Sequence, residues 1–177
     1  MKKIVLTYGL IAGTLVGSMF MLTYPLWRNG TITFDNSMWV GYATMVIALS
    51  LIFFGIKSYR DNYLGGAIPF GTAFKVGILI TLIASLLYCI AWEICYNTIF
   101  TDFMEVTAEY KQKDLKNSGA SEQEIARTMA DFQRMAESYK NPLIRFGMTF
   151  LEIFPVGLLI TLLSASLLKK KAFLPTE

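Results

Sequence analysis

Histidine is absent from this sequence, and cysteine occurs only twice. Without histidine the chain lacks the commonest metal ligand and the commonest acid/base group at neutral pH. The two cysteines, Cys89 and Cys95, fall about 240° apart on one predicted helix, so they cannot bridge each other. A glycine-rich phosphate loop, a GxSxG nucleophile elbow and a cysteine pair at metal-binding spacing are also missing. We therefore predict no catalytic, cofactor-binding or metal site, and a protein that is not an enzyme.

Charged residues are scarce as well, at 16% of the chain, whereas apolar residues reach 54%. The mean hydropathy is +0.48. Values of this kind place a chain among membrane proteins and not among soluble globular domains. The net charge of +3 is small, and nothing in the composition favours nucleic acid as a partner. The lipid bilayer is the expected partner.

Four apolar runs separate the charged stretches. A helix needs about 20 apolar residues to cross roughly 30 Å of hydrocarbon. Lys2 and Lys3 resemble the start of a signal peptide, but the run that follows them has spanning length and no small-x-small cleavage site, so we predict that it is retained. The predicted fold is all-α, a polytopic membrane protein with one membrane domain over 1–177 and four transmembrane helices at about 4–26, 38–56, 70–97 and 143–168.

Small side chains recur every four residues in three of these runs. At this spacing they flatten one face of a helix and let a second helix approach closely in lipid. The predicted packing positions are Gly9, Gly13 and Gly17 in the first run, Gly77, Thr81 and Ser85 in the third, and Gly157 and Thr161 in the fourth. We expect the third and fourth helices to pack together. For the first run, packing within the chain and a homodimer seam are both open.

Residues 101–141 are charged and periodic, without a spanning run. Ser121 and Glu124 form the capping-box pattern that opens a helix. The helix then carries a heptad stripe of Ile125, Met129, Phe132, Ala136 and Tyr139. We predict an external helical hairpin at 101–141, inserted between the third and fourth spans. It either only connects the spans or docks a protein partner or a second copy, since connections of this length are uncommon without a role.

Basic residues indicate the orientation. Arg28 belongs to the short loop on one side of the membrane, and the other side holds Lys2, Lys3, Lys57, Arg60 and the lysines at 169–171. Lysine and arginine near helix ends favour the cytoplasmic side. We therefore predict that both termini are cytoplasmic and that the hairpin is extracytoplasmic.

Two acids lie within predicted spans, Glu93 in the third and Glu152 in the fourth. A charged side chain in hydrocarbon is costly unless it is protonated or paired, so we expect both to face the bundle interior, where they could meet. Arg145 is the counter-ion for one of them, and Asn97 and Thr149 are candidate hydrogen-bond neighbours. This candidate intramembrane polar site is either a structural ion pair or a protonatable group suited to proton coupling or cation binding.

Of the two acids, Glu152 is expected to matter more than Glu93. Pro155 removes one backbone hydrogen bond and leaves the carbonyl of Leu151 free beside Glu152. A free carbonyl and a carboxylate could converge on one cation or proton, as in the broken helices of transporters.

Six segments carry a family resemblance: YGLIAG at 8–13, YRDN at 59–62, GG at 65–66, FGTAFKVG at 70–77, FME at 103–105 and MTFLEIFPVG at 148–157. Over nearly its whole length the chain resembles a bacterial family of small four-span membrane proteins, the domain of unknown function numbered forty-one ninety-nine. That family often has a proline before Asp102, where this sequence has Thr101, so a third span that continues into the hairpin and one that ends before it are both open. The resemblance implies an integral protein of the bacterial cytoplasmic (inner) membrane and supplies no activity or catalytic residue.

Two functions are open for such a protein. The first, which we favour, is a non-enzymatic structural or interaction component whose external hairpin docks a partner, because four spans with only two buried acids offer few groups to bind a solute. The second is a small proton- or cation-coupled carrier or regulator using Glu152 and Glu93. The heptad stripe should be partly exposed in the first case, and the acids should line a water-reachable cavity in the second.

Overall fold

The computed structural model describes residues 1–28 and 31–169. Over these residues the chain is helical and contains no strands. The helices are α1 (Lys2–Arg28), α2 (Phe34–Leu49), α3 (Leu51–Tyr63), α4 (Phe70–Thr98), α5 (Phe103–Asn117), α6 (Glu122–Tyr139) and α7 (Pro142–Leu168).

Four helical segments are long and apolar enough to cross a membrane. They are Lys2–Leu26, Asp35–Tyr63, Phe70–Thr98 and Pro142–Leu168. The predicted spans fall inside these segments. The second segment extends furthest beyond its prediction, because the chain stays helical through the polar residues that follow Ile56. It ends just before Gly65 and Gly66, whose positive φ angles of 61° and 87° suit glycine and not a helix.

The second span consists of two helices, α2 and α3, that meet at Ser50. The Ser50 hydroxyl donates to the carbonyl of Ile47 at 2.6 Å, while the Ser50 N–H donates to the carbonyl of Val46 at 2.9 Å. A serine hydroxyl that bonds back to its own helix bends the backbone. Ser50 keeps right-handed helical φ and ψ angles of −58° and −21°. Asp35–Tyr63 is therefore still one spanning segment, as the sequence predicted, with a local irregularity at Ser50.

The glycine face of α1 packs against α4 and is formed by Gly9, Gly13 and Gly17. A Cβ atom at Gly13 would lie 2.7 Å from Cδ1 of Leu87, which is closer than side-chain atoms approach one another. The two backbones therefore come together at a distance that requires glycine. This face is occupied within the chain, as the first of the two open alternatives expected.

The contact between α4 and α7 is built from small residues on both helices. A Cβ atom at Gly157 would lie 2.4 Å from Cγ2 of Thr81, and one at Gly77 would lie 2.7 Å from Cγ2 of Thr161. The Thr81 and Thr161 hydroxyl oxygens are 2.9 Å apart and share a hydrogen bond. Ser85 is fully buried on α4, and its hydroxyl has no hydrogen-bond partner within the described residues. Helix α4 therefore lies between α1 and α7 as the centre of the bundle.

Helices α5 and α6 follow α4 and precede α7 in the chain, and they contact each other. They are here called the α5–α6 pair. Helix α4 ends at Thr98 and α5 begins at Phe103 after a turn. The third span therefore ends before the α5–α6 pair and does not continue into it. The Ser121 hydroxyl accepts a hydrogen bond from the Glu124 N–H at 3.3 Å and caps α6.

The heptad stripe of α6 faces the rest of the chain. Phe132 and Tyr139 are each 8% exposed, and Ile125, Met129 and Ala136 are half-buried. Helix α5, in contrast, contains no buried residue. The stripe is therefore largely covered within the chain, and α5 is the more exposed member of the pair.

Candidate functional site

Arg145 of α7 and Glu93 of α4 form an ion pair inside the bundle. The Arg145 Nε donates to Oε1 of Glu93 at 2.8 Å, and Nη2 donates to Oε2 at 2.5 Å. The two side chains are only 4% and 22% exposed, respectively. A guanidinium that meets both oxygens of a carboxylate makes a strong and directional contact. The pair therefore joins α4 to α7.

The position of this ion pair follows from the way the small residues align α4 with α7. Thr81 lies opposite Gly157, and α4 and α7 run antiparallel. Twelve residues forward along α4 is Glu93, and twelve residues back along α7 is its partner Arg145. Glu152 lies about 10 Å further along α7 than Arg145, at 1.5 Å per residue. Arg145 therefore lies at the same depth in the bundle as Glu93 and pairs with it, and not with Glu152.

Arg145 also holds the end of α6. Its Nη1 donates to the backbone carbonyl of Tyr139 at 3.1 Å. Its guanidinium carbon lies 4.1 Å from the centre of the Tyr96 ring, within the range of a cation–π contact. All of these contacts are structural, since they leave the guanidinium 4% exposed.

Asn97 and Thr149, the two predicted hydrogen-bond neighbours, bond to the backbone of their own helices. The Asn97 amide donates to the carbonyl of Glu93 at 2.6 Å. The Thr149 hydroxyl donates to the carbonyl of Arg145 at 2.9 Å. Both residues are therefore close to the ion pair, but these bonds do not involve the carboxylates.

A second polar contact attaches α6 to α4. The Trp92 indole N–H donates to the hydroxyl of Tyr139 at 2.8 Å, and both side chains are buried. Burial raises the pKa of Tyr139, so the residue remains a neutral phenol. The C-terminal end of α6 is therefore held against the bundle by two groups of Tyr139, its hydroxyl and its backbone carbonyl.

The other attachment of the α5–α6 pair is between Tyr110 of α5 and Asp35 at the start of α2. The Tyr110 hydroxyl donates to the Asp35 carboxylate. This hydrogen bond is the main cause that raises the pKa of Tyr110 to about 12. The α5–α6 pair is therefore held at the end of the bundle where α1 and α4 end and where α2 and α7 begin.

A cavity of about 550 Å³ opens at this end of the bundle, among α1, α2, α4, α5 and α7. Aromatic residues form much of its wall, together with hydroxyl-bearing side chains and two acids. The aromatic members are Phe20, Tyr24, Tyr88, Trp92, Phe100 and Phe103, the hydroxyl members are Thr23, Ser37, Thr44 and Thr101, and the acids are Asp102 and Glu152.

Glu152 lines this cavity from α7. The residue is exposed even though it belongs to a spanning helix. The Tyr88 hydroxyl interacts with its carboxylate. Of the ion pairs in the described part of the chain, none includes Glu152. Glu152 is thus an acid inside the bundle whose described partner is a neutral hydroxyl.

The aromatic wall is packed around Trp92. The ring centre of Trp92 lies 5.0 Å from that of Phe20, 5.2 Å from Phe103 and 5.8 Å from Phe100. Phe20 is also 4.8 Å from Tyr88. These rings come from α1, from α4, from the turn after α4 and from the first residue of α5. The shape of the wall therefore depends on how the α5–α6 pair is positioned against the bundle.

The sequence left open whether the two acids meet, and in the structure they lie in different surroundings. Glu93 is bonded to Arg145, whereas Glu152 faces the cavity one further turn and more into α7. Sequence reasoning named a water-reachable cavity only as a condition of the second function and did not predict its aromatic wall. Tyr88 and Trp92, four residues apart on the polar side of the third span, were a signal for its wall.

The model of one protein family matches residues 7–170, and its description is "Protein of unknown function (DUF4199)". The match covers most of the 177 residues. The chain belongs to this family. No curated protein and no solved structure matches it. Family membership agrees with the resemblance carried by the six sequence segments, and the activity has to be argued from the site.

Proposed function

We propose that this protein of the DUF4199 family is a non-enzymatic carrier or regulator that binds a small solute in the cavity at Glu152. In this proposal it is a multi-pass protein of the bacterial cytoplasmic membrane with both termini on the cytoplasmic side. The carboxylate of Glu152 gains or loses a proton, or pairs with a cation, as the solute binds and leaves. This gives more weight to the second of the two functions left open by the sequence.

One observation supports this choice above the others. Glu152 lines a cavity and lies outside every described ion pair, whereas the second intramembrane acid, Glu93, is already bonded to Arg145. An acid inside a membrane protein is expensive to keep and is usually retained for a functional reason. A cavity of about 550 Å³ lies within the range of small-molecule sites.

The orientation rests on the basic residues. Lys2, Lys3, Lys57 and Arg60 lie at the end of the bundle opposite the α5–α6 pair, and Lys169 follows α7 at the same end. Lysines 170 and 171 lie outside the described residues. The positive-inside rule assigns such an end to the cytoplasm. The cavity then opens towards the outer side of the membrane.

Carbodiimide labelling tests the role of Glu152. A hydrophobic carbodiimide adds to a protonated carboxylic acid, and peptide mass spectrometry locates the adduct. We expect Glu152 in membranes to be labelled, with labelling that falls as the pH rises. Glu93 should stay unlabelled because Arg145 holds both of its oxygens. Glu152→Gln is the control for assignment. Labelling of Glu93 in place of Glu152, or no dependence on pH, would count against the proposal.

A second candidate is docking of a protein partner or a second copy through the α5–α6 pair. The observation that favours it is that α5 contains no buried residue, so most of its surface is free of contacts within the described chain. Partner docking by this route uses the exposed surface of α5 and not the heptad stripe of α6, which is largely covered.

Site-specific crosslinking tests the second candidate. A photoreactive residue in place of the exposed Glu109 of α5 should give one defined crosslinked species in membranes. The control position is Leu167, which is 75% exposed on the apolar helix α7 and should crosslink to lipid. A position-109 variant that gives only the lipid adducts seen at position 167 would contradict docking through α5.

A further inference from the structure

The charge of the cavity wall has one sign. Among the described lining residues the ionisable acids are Glu152 and Asp102, and lysine and arginine are absent. An anion would therefore meet no opposite charge on this wall, while a cation would meet a carboxylate. Glu152 lies about 15 Å along α7 from its first residue, at 1.5 Å per residue, so the carboxylate is at the deep end of the cavity. Asp102 belongs to the turn between α4 and α5 and lies at the rim.

The aromatic wall favours a particular kind of cation. Faces of tryptophan, tyrosine and phenylalanine attract cations, and organic ammonium groups are recognised in this way. The N–H of Trp92 is already bonded to Tyr139, so this lining residue presents no free donor to the cavity. Phe20 and Tyr88, whose ring centres are 4.8 Å apart, line the same cavity as Glu152. The wall thus places a carboxylate next to several aromatic rings.

Divalent metal ions fit this wall poorly. Calcium takes six to eight oxygen ligands, and magnesium requires a near-octahedral set. Within residues 1–28 and 31–169, no group of three or more acidic or cysteine side chains could hold a metal ion. A phospholipid amine carries a phosphate beside its ammonium group, and the described wall has no basic side chain for it. A free organic cation requires neither feature.

We propose that the cavity binds an amphipathic organic cation, a protonated or quaternary amine on an apolar body, with the ammonium group at Glu152 and the body against Phe20, Tyr88 and Trp92. This rests on the proposed function and names its ligand class. The cavity of about 550 Å³ accommodates a body of several carbon atoms beside the charged group.

Three water-soluble probes separate the components of this site. Benzyltrimethylammonium has both the charge and an aromatic body, tetramethylammonium has the charge alone, and toluenesulfonate has an aromatic body with the opposite charge. Their binding to the purified full-length protein in detergent is measured by titration calorimetry. We expect benzyltrimethylammonium to bind, tetramethylammonium to bind about tenfold more weakly, and toluenesulfonate to give no saturable binding.

Two variants locate the binding. Glu152→Gln keeps the size of the side chain and removes its charge, and should weaken benzyltrimethylammonium by about tenfold or more. Phe20→Leu keeps an apolar wall without the aromatic face and should weaken it severalfold. Glu122→Gln, at an exposed acid of α6 that does not line the cavity, is the matched control and should bind like the wild type. Thermal unfolding confirms that each variant is folded.

Any of three results overturns the ligand class. They are no binding of benzyltrimethylammonium to folded wild type, equal binding by the wild type and Glu152→Gln, and binding of toluenesulfonate as tight as that of the cation. A phospholipid that stays bound in native mass spectrometry and is lost in Phe20→Leu would make a lipid the occupant and also overturn it. Carbodiimide labelling of Glu152 is scored separately, so pH-dependent labelling without cation binding leaves the proposed function standing and removes only its ligand.

Discussion

Arg145 donates hydrogen bonds to both carboxylate oxygens of Glu93, at 2.8 and 2.5 Å, and so holds the arginine of α7 away from Glu152. Two acids on neighbouring helices thus have different surroundings. Glu93 belongs to a closed contact between α4 and α7, and Glu152 belongs to the wall of a cavity. The two acids therefore have different roles.

Glu93→Gln should destabilise the protein by on the order of 2 to 3 kcal/mol, because it leaves a buried guanidinium without its charge partner. Thermal unfolding in detergent measures the loss. Glu109→Gln on the exposed surface of α5 is the control and should be close to neutral. The double variant Glu93→Gln, Arg145→Gln should recover part of the stability. A Glu93→Gln protein as stable as the wild type would show that the ion pair contributes little.

Gly157→Ala should weaken the contact between α4 and α7. The new methyl group would lie 2.4 Å from Cγ2 of Thr81, a β-branched residue that has little freedom to move. Overpacking of this kind costs about 1 to 3 kcal/mol. Gly147→Ala, in the same helix with no atom within 4 Å of the added methyl, should be neutral or stabilise by up to about 1 kcal/mol. Equal unfolding temperatures for the two variants would contradict close packing at Gly157.

Tyr110 should be among the last tyrosines to ionise. Its hydrogen bond to Asp35 raises the pKa of Tyr110 to about 12, above the unfolded value of about 10. The stabilising contribution of the protonated phenol is therefore fully present below about pH 10 and is lost as the pH rises through 12. In an absorbance titration, Tyr110→Phe should remove a step near pH 12, and Asp35→Asn should shift that step towards lower pH. Tyr63→Phe, at an exposed position, should leave it in place.

Cysteine labelling in intact cells tests the orientation. A cysteine replacing the exposed Ser118, in the turn between α5 and α6, should react with an impermeant maleimide added outside. One replacing the exposed Asn62, at the opposite end of the bundle, should react only after the membrane is opened. Cys89 and Cys95 are both buried, so the wild type serves as the blank. The reverse pattern of reactivity would invert the proposed topology.

The four spanning helices were predictable because hydropathy is a local property of the sequence. The close contacts of Gly13 and Gly157 were also anticipated, since small residues at four-residue spacing lie along one face of a helix. The partner of Arg145 could have been predicted from depth in the membrane alone. Glu93 lies near the C-terminal end of α4 and Arg145 near the N-terminal end of α7, and these ends meet because the two helices are antiparallel. The sequence prediction left the choice between the two acids open.

The irregularity at Ser50 and the composition of the cavity wall could not be predicted from the sequence, for different reasons. A serine within a span is common, and the hydrogen bond of its hydroxyl to Ile47 leaves no pattern in the sequence. The cavity wall combines Phe20, Trp92, Phe103 and Glu152 from four separate helices. Such a surface depends on how the helices are rotated against one another, which single-helix periodicity does not specify.

The glycine face of α1 has a consequence for the order in which the protein is made. Its close partner is α4, the third span, which the ribosome synthesises two spans later. The first two spans therefore enter the membrane before the surface that covers Gly9, Gly13 and Gly17 exists. Helix α4 must then insert beside α1, and α7 arrives last to cover the threonine side of α4. During biogenesis the bundle thus closes around its third span, and a chain stalled before that span would present bare glycines to the lipid.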